Sequence, residues 1–215
     1  MIILACATER ELREMLAGLE KPVENGAVRV AGCRILPCVT GVGPVAAGIS
    51  AGEALARHPE ATGMINAGIC GSFDPERFPL GGICVARKEV WPEYGVRTDV
   101  ETTPLDYPMF PDIELDAADE LRLDPVFCAG EMNLRLSEAW SQVSLTVAGV
   151  SGCPGRADFL RERYGAATEN MEGFALALAA RRRGIPFLEI RTVSNLAGER
   201  DKKKWNFRQA FASLR

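Results

Sequence analysis

Short apolar runs recur along this chain, each followed by a stretch of helical character, and that alternation limits the fold more than any other feature. Ile2 to Ala7 is apolar with a small-residue end and reads as a buried strand. Thr8 follows, with Glu11 three residues on, the spacing of a capping box that opens a helix through Met15 and Leu16. Val28 to Val30 and Arg34 to Val39 read as strands flanking a turn at Gly32. Gly41-Val42-Gly43-Pro44 breaks the pattern, and the Ala-rich stretch Val45 to Leu55 reads as helix. Gly63 to Ala67 is a buried strand that ends in a Gly-rich loop, Gly68 to Ser72, and Ile83 to Val90 is another strand. The proline-rich segment from Trp91 to about Leu115 is too long for a simple connection and is expected to be functional or to form an interface. Val143 to Val150 alternates like a strand, Arg156 to Tyr164 and Asn170 to Arg183 read as helices, Phe187 to Val193 as a strand, and Lys204 to Leu214 as a final helix. Strands alternating with helices predict an α/β fold around a mostly parallel sheet.

The 215 residues suffice for one sizeable core, so a single domain, 1–215, is expected. With 47% hydrophobic and 25% charged residues the composition is that of an ordinary globular chain. A formal net charge of -4 gives no electrostatic reason to expect nucleic acid as a partner. No apolar stretch is long enough to span a membrane, and the N-terminal run lacks the basic flank of a signal peptide. The seven cysteines, Cys6, Cys33, Cys38, Cys70, Cys84, Cys128 and Cys153, are irregularly spaced without a CxxC. They read as free thiols in a reducing compartment, so a cytoplasmic location is expected. His58 is the one histidine, placed at a helix end before a proline. A Ser-His-Asp triad, a Cys-His pair or a His-rich metal site would all have to use it.

In open α/β sheets, ligands bind beyond the carboxyl ends of the strands. Four such ends carry notable residues: Glu11 after the first strand, Asn66 to Ser72 with Cys70 and Gly71, Ser151 with Gly152 and Cys153, and Arg191 with Ser194 and Asn195. A fifth segment, ATENMEGFALA, sets Glu169, Asn170, Met171 and Glu172 at an expected helix start. Singly, each has an ordinary structural explanation: a turn glycine, a capping glutamate, an acid complementing a helix dipole.

Taken in order, TGVGPVAAG (Thr40 to Gly48), NAGICGSF (Asn66 to Phe73), ENMEGFALA (Glu169 to Ala177) and RTVSNLAG (Arg191 to Gly198) resemble the nucleoside phosphorylase and nucleosidase superfamily. The NMEG and SNLAG forms and the trailing ERDKKKW look most like its futalosine hydrolase branch. The resemblance implies a three-layer sandwich, a central mixed, mostly parallel twisted sheet flanked by helices. It also implies cleavage of the ribose–purine bond, with no metal or organic cofactor, a small-molecule nucleoside as partner, and a homodimer or higher homo-oligomer. Glu11 matches the residue that activates water, Arg191 an arginine near that water, Glu172 the acceptor for ribose hydroxyls, and Met171 the residue beneath the sugar. Asn195 stands where adenine-specific relatives have aspartate. Its amide offers a donor for a 6-oxo group and an acceptor for a protonated ring nitrogen, which favours hypoxanthine as the leaving base. Cys70, Gly71, Gly152, Cys153 and Asn170 complete the expected substrate contacts. The family's base-stacking aromatic falls near Pro154, where this chain has none; Phe159 or a side chain from the Trp91 to Phe110 segment is the expected substitute. An adenine-type nucleosidase, an inosine-type phosphorylase and a nucleoside-binding protein without turnover remain the alternatives.

Overall fold

The computed structural model describes residues 1–18, 21–22, 26–30, 32–99, 101–103, 119–136 and 141–214. In chain order the elements are β1 (Ile2–Cys6), α1 (Glu9–Leu16), β2 (Lys21–Pro22), β3 (Val28–Val30), β4 (Cys33–Val39), α2 (Pro44–Arg57), β5 (Gly63–Ser72), β6 (Ile83–Val90), β7 (Val96–Arg97), β8 (Thr102–Thr103), β9 (Glu120–Arg122), α3 (Pro125–Glu131), β10 (Ser141–Thr146), α4 (Pro154–Tyr164), β11 (Thr168–Asn170), α5 (Gly173–Arg183), β12 (Phe187–Leu196) and α6 (Phe207–Leu214). A single turn of 3-10 helix, Lys202–Lys204, precedes α6.

The main sheet runs β11-β10-β6-β12-β5-β1-β4-β3-β2, with β9 added beside β6. Its centre is parallel: β4, β1, β5 and β12 share one direction. The antiparallel β12–β6 pair reverses the sense of β6, β10 and β11. All five residues of β1 are buried, because both faces of the sheet are covered. Ile3 and Ala5 face the layer made by α2 and α5, while Ile2, Leu4 and Cys6 face the layer made by α1, α3 and α6. Ala47, Ala51 and Ala54 of α2 and Ala177 and Ala180 of α5 join the first of these cores, and small side chains there let the helices lie close. This is the three-layer arrangement expected of the sequence.

Four local expectations are corrected. The Gly-rich loop at Gly68 to Ser72 is strand: β5 runs unbroken through it, paired to β12. Its end also meets β11 antiparallel, Thr168 opposite Ser72 and Glu169 opposite Gly71, which closes β5, β12, β6, β10 and β11 into a ring. The helix expected from Asn170 begins at Gly173, because Thr168–Asn170 is the strand β11. Part of the Trp91 to Leu115 segment pairs as β7 with β8, and the strand β9 follows beyond it; residues 104–118 lie outside the described residues. The expected final helix is split into the 3-10 turn and α6. Among the described residues, no helix is long and apolar enough to cross a membrane.

Candidate active site

Glu11 is placed by the start of α1. Thr8 is the N-cap; its side-chain oxygen accepts from the Glu11 amide, and the Glu11 Oε2 accepts from the Thr8 amide at 2.9 Å and its hydroxyl at 2.8 Å. The capping box and the candidate catalytic acid are therefore one residue. Its other oxygen, Oε1, accepts from the Ile69 amide of β5 at 3.0 Å. The carboxylate is thus held at both oxygens by groups of two different elements, and it is 3% exposed. Between Glu11 and Arg191 lies Gly68: a Cβ there would stand 2.7 Å from Glu11 Oε1 and 2.8 Å from Arg191 Nη1. Glycine is required at this place by close approach to two charged groups.

Arg191, on β12, is 1% exposed. Nε donates to Glu189 Oε1 at 2.9 Å, Nη1 to Glu172 Oε2 at 3.2 Å and to the Ile69 carbonyl at 3.4 Å, and Nη2 to Asn170 Oδ1 at 3.1 Å. Burial opposes its charge, and the carboxylates of Glu189 and Glu172 outweigh that opposition, so its pKa lies above the ordinary arginine value. Glu172 is the N-cap residue of α5. Its second oxygen accepts from the Gly43 amide at 3.2 Å, tying the head of α5 to that of α2.

Asn195 follows a bulge in β12, where the register to β5 slips between Val193 and Asn195. The bulge turns its side chain to the cleft wall beside Gly71, as bulges near active sites often do. Its Oδ1 accepts from the Ser194 hydroxyl at 2.8 Å and its Nδ2 donates to the Leu196 carbonyl at 2.9 Å. One amide proton and one lone pair remain for a ligand.

Glu11, Glu172 and Asn195 line one cleft of about 380 Å³, together with Cys70, Gly71, Asn170 and Met171, while Arg191 lies behind this lining and reaches the cleft through Glu172. Asn170 is chiefly structural: its Oδ1 accepts from the amides of Glu172 and Gly173 as well as from Arg191. The Cys70 thiol packs beside Cys84, sulfur to sulfur 3.8 Å, and burial pushes its pKa up. Glu169 lines the same cleft, but its carboxylate accepts from the amide and hydroxyl of Ser151 and so fixes that turn; burial raises its pKa.

Gly152 and Cys153 are not brought to this cleft. They stand exposed on the turn beyond Ser151, with Cys153 as the N-cap of α4. Phe159 is also elsewhere, in a crevice with Glu93 and Arg97, and Phe110 lies outside the described residues. The aromatic side chains in the cleft are Trp205, Phe207 and Phe211, from the 3-10 turn and α6. Two cations share that wall, Arg10 over the Phe211 ring at 4.5 Å and Arg200 over the Trp205 ring at 5.4 Å. Sequence reasoning missed all five as site residues; the available sign was Phe207 and Phe211 on one face of the last helix, four residues apart.

The phosphorylase superfamily model matches residues 2–214. The chain is 34% identical over 177 residues to the futalosine hydrolase of Thermus thermophilus, covering 81% of this chain and 75% of that protein. It is 36% identical over 152 residues to the futalosine hydrolase of Streptomyces coelicolor, an alignment covering 70% of this chain and 61% of that protein, less than two thirds of its length. Among solved structures, native futalosine hydrolase of Helicobacter pylori superposes with a TM-score of 0.71 at 17% identity, covering 99% of this chain and 93% of that one. The 5'-methylthioadenosine/S-adenosylhomocysteine nucleosidase of the same organism does so at 0.71 and 18%, covering 99% and 94%. At such identities the two superpositions establish the fold, while the extent of the family match and the Thermus alignment establish kinship: the chain belongs to the phosphorylase superfamily and, within it, to the futalosine hydrolase family.

Proposed function

We propose that this chain hydrolyses the N-glycosidic bond of futalosine, releasing hypoxanthine and dehypoxanthine futalosine, as a step of menaquinone biosynthesis. The observation that carries this reading is the carboxylate of Glu11, buried at the cleft floor with both oxygens anchored, in the same cleft as the half-free amide of Asn195. Cleavage passes through an oxocarbenium-like transition state that needs a nucleophile, support for the cationic sugar and a receptor for the departing base. Glu11 takes a proton from water as its oxygen attacks C1'. Glu172 accepts from the ribose hydroxyls and stabilises the growing positive charge, Arg191 holds Glu172 in place, and Met171 packs beneath the sugar. The N–H of Asn195 donates to the 6-oxo group. Its lone pair accepts from the ring N–H formed when the departing base takes a proton from solvent in the cleft as the C1'–N bond breaks; Glu11 returns to that solvent the proton it took from water, so the step balances.

Water is favoured over phosphate as nucleophile by the charge of the floor. Glu11 and Glu172 are acids there, and Arg191, the buried cation, is already paired with Glu172 and Glu189. A phosphate dianion would meet like charge without a free cation beside C1'. Arg10 does reach the cleft, but on the aromatic wall over Phe211. That wall suits the part of the substrate beyond the ribose, and its two arginines favour an anionic aromatic substituent.

Two further readings belong here. A second copy of this chain covers the groove of about 700 Å³ between α2 and α5, where Val45 and Ile49 are 73% and 61% exposed. Val42, 57% exposed, lines the cleft next to that groove, so the partner would help to close the site. A cytoplasmic location is supported by seven cysteines that are all free.

The test is incubation with futalosine, inosine and methylthioadenosine, each with and without phosphate, with free base resolved by chromatography. Hypoxanthine from futalosine at a rate indifferent to phosphate is expected. Base release that requires phosphate, or release of adenine alone, would overturn the reading.

A further inference from the structure

Behind Arg191, on the side away from the ribose site, lie two carboxyl groups that the scheme above does not use. Glu89 of β6 and Glu189 of β12 are each 0% exposed and converge on the head of α5: Glu89 accepts from the Thr146 hydroxyl, which itself accepts from the Phe174 amide, and Glu189 Oε2 abuts Gly173. Glu89 Oε1 accepts from Asn170 Nδ2 at 2.9 Å and Oε2 from the Thr146 hydroxyl at 2.5 Å. Glu189 Oε1 accepts from Arg191 Nε at 2.9 Å. Glu189 Oε2 is fully buried and receives no hydrogen bond from any ionised-state donor among the described residues. Gly173 leaves room for that oxygen, since a Cβ there would collide with it. A buried acceptor without a donor is costly, and so is a second buried charge without a cation.

The groups facing Glu89 settle where the missing proton is. β12 contributes Glu189, whose other oxygen holds Arg191 Nε, and Arg191 in turn holds Glu172. β10 and β11 contribute Ser144, Thr146 and Asn170, all uncharged. β9 sets Leu121 opposite. Arg191 already faces two carboxylates, and no cation is in contact with Glu89 among the described residues.

We propose that Glu89 is held as a neutral acid that donates its proton to Glu189 Oε2, and that it is a positioning residue for Arg191. The proton supplies the donor that Glu189 lacks and leaves one charge on the pair, matched to one guanidinium. Glu189 is then clamped between Glu89 and Arg191 Nε. The same Glu89 orients Asn170, whose Oδ1 turns to Arg191 Nη2 and to the amides of Glu172 and Gly173. Both routes end on the Arg191–Glu172 pair, of which Glu172 lines the cleft. Burial first, and the neighbouring charge of Glu189 second, push the Glu89 carboxyl well above the usual carboxylate range. An acid whose folded-state value is raised contributes stability that is full at low pH and is lost as pH rises through that value. The pose of Arg191 fails on the alkaline side with it.

The positioning part rests on the hydrolytic roles given above to Arg191 and Glu172, so the first readout does not use activity. In the infrared difference spectrum of wild type minus Glu89→Gln at neutral pH, a protonated-carboxyl C=O band is expected to be lost. Loss of an ionised-carboxylate band in its place would overturn the proposal. Should that variant not fold, Glu189→Gln decides: the band must shift as its acceptor changes from carboxylate to amide, and an unmoved band overturns it. In turnover, Glu89→Leu is expected to lower kcat on the order of tenfold with little change in KM, the scale of coupling inside one buried network. Glu89→Gln, which keeps a donor, is expected to recover most of that loss and to remove the alkaline fall in kcat. Gln behaving as badly as Leu would overturn the positioning role. Absence of glycosidic cleavage with the band present would count against the hydrolase reading alone.

Discussion

Glu11 illustrates how one side chain serves the backbone and the chemistry together. As the N3 residue of α1 it closes the capping box with Thr8, and as an acceptor for the Ile69 amide it is fixed over the cleft. The spacing Thr8–Glu11 was readable as a cap, and the cap reading and the catalytic reading looked like competitors in the sequence. They are not, because a cap uses one carboxylate oxygen and leaves the other. Glu11→Gln keeps the shape and an acceptor oxygen, so folding should survive. Turnover of futalosine should fall by about 10²–10⁴-fold, the usual worth of a general base. Circular dichroism and steady-state kinetics on the same preparation check both halves; a variant with near-normal kcat would remove Glu11 from the mechanism. Gly68 and Gly71 were legible as notable, but for the wrong reason. Gly68 makes room for Glu11 and Arg191, and Gly71 for Glu169 and Asn195. Spacing in sequence cannot show a neighbour that arrives from another strand.

The elements that build the site are β5, β12 and the short helix α1. β5 and β12 are each ten residues long, and they carry the sheet past the core so that Gly68, Ile69, Arg191 and Asn195 lie on paired backbone. Long apolar strands of this kind were visible from their buried halves; their outer halves were not, because glycines and polar residues there look like loop. The same limit explains β11. Thr168–Asn170 is only three residues, and its acids read as the start of the following helix. Phe207–Leu214 was expected as a helix, yet its contribution of aromatic side chains to the cleft depends on how it docks, by α1 and β12, which periodicity does not encode. Since α1 presents Glu11 through its cap, Thr8→Ala tests the element. Loss of an N-cap costs about 1 kcal/mol of stability. The Glu11 carboxylate also loses a donor, so kcat should drop more than the stability change alone explains. Thermal unfolding and kcat measured in parallel separate the two effects; a small loss of stability with unchanged kcat would show that the Ile69 amide alone positions Glu11.

At the scale of the whole molecule, the exposed apolar face of α2 and α5 is not covered by any of the described residues. Ile49 projects from it at 61% exposure, and Val45 at 73%. If a second copy lies there, Ile49→Glu places a charge in that contact and should convert a dimer to a monomer in analytical ultracentrifugation, with KM for futalosine rising because Val42 of the cleft is only two residues from Pro44 of that groove. A wild-type chain that sediments as a monomer at micromolar concentration would discard the idea. The layered α/β architecture was legible because both faces of β1 and β5 are apolar. The ring closure of β5 onto β11 was not, since it depends on sheet twist accumulated over five strands. That closure has a consequence of its own. With the strands that carry Gly71, Glu169, Asn170 and Asn195 joined by hydrogen bonds into a closed ring, no one strand can peel away without breaking its neighbours' bonds. The part of the cleft built on these strands is therefore expected to be among the last parts of the protein to come apart.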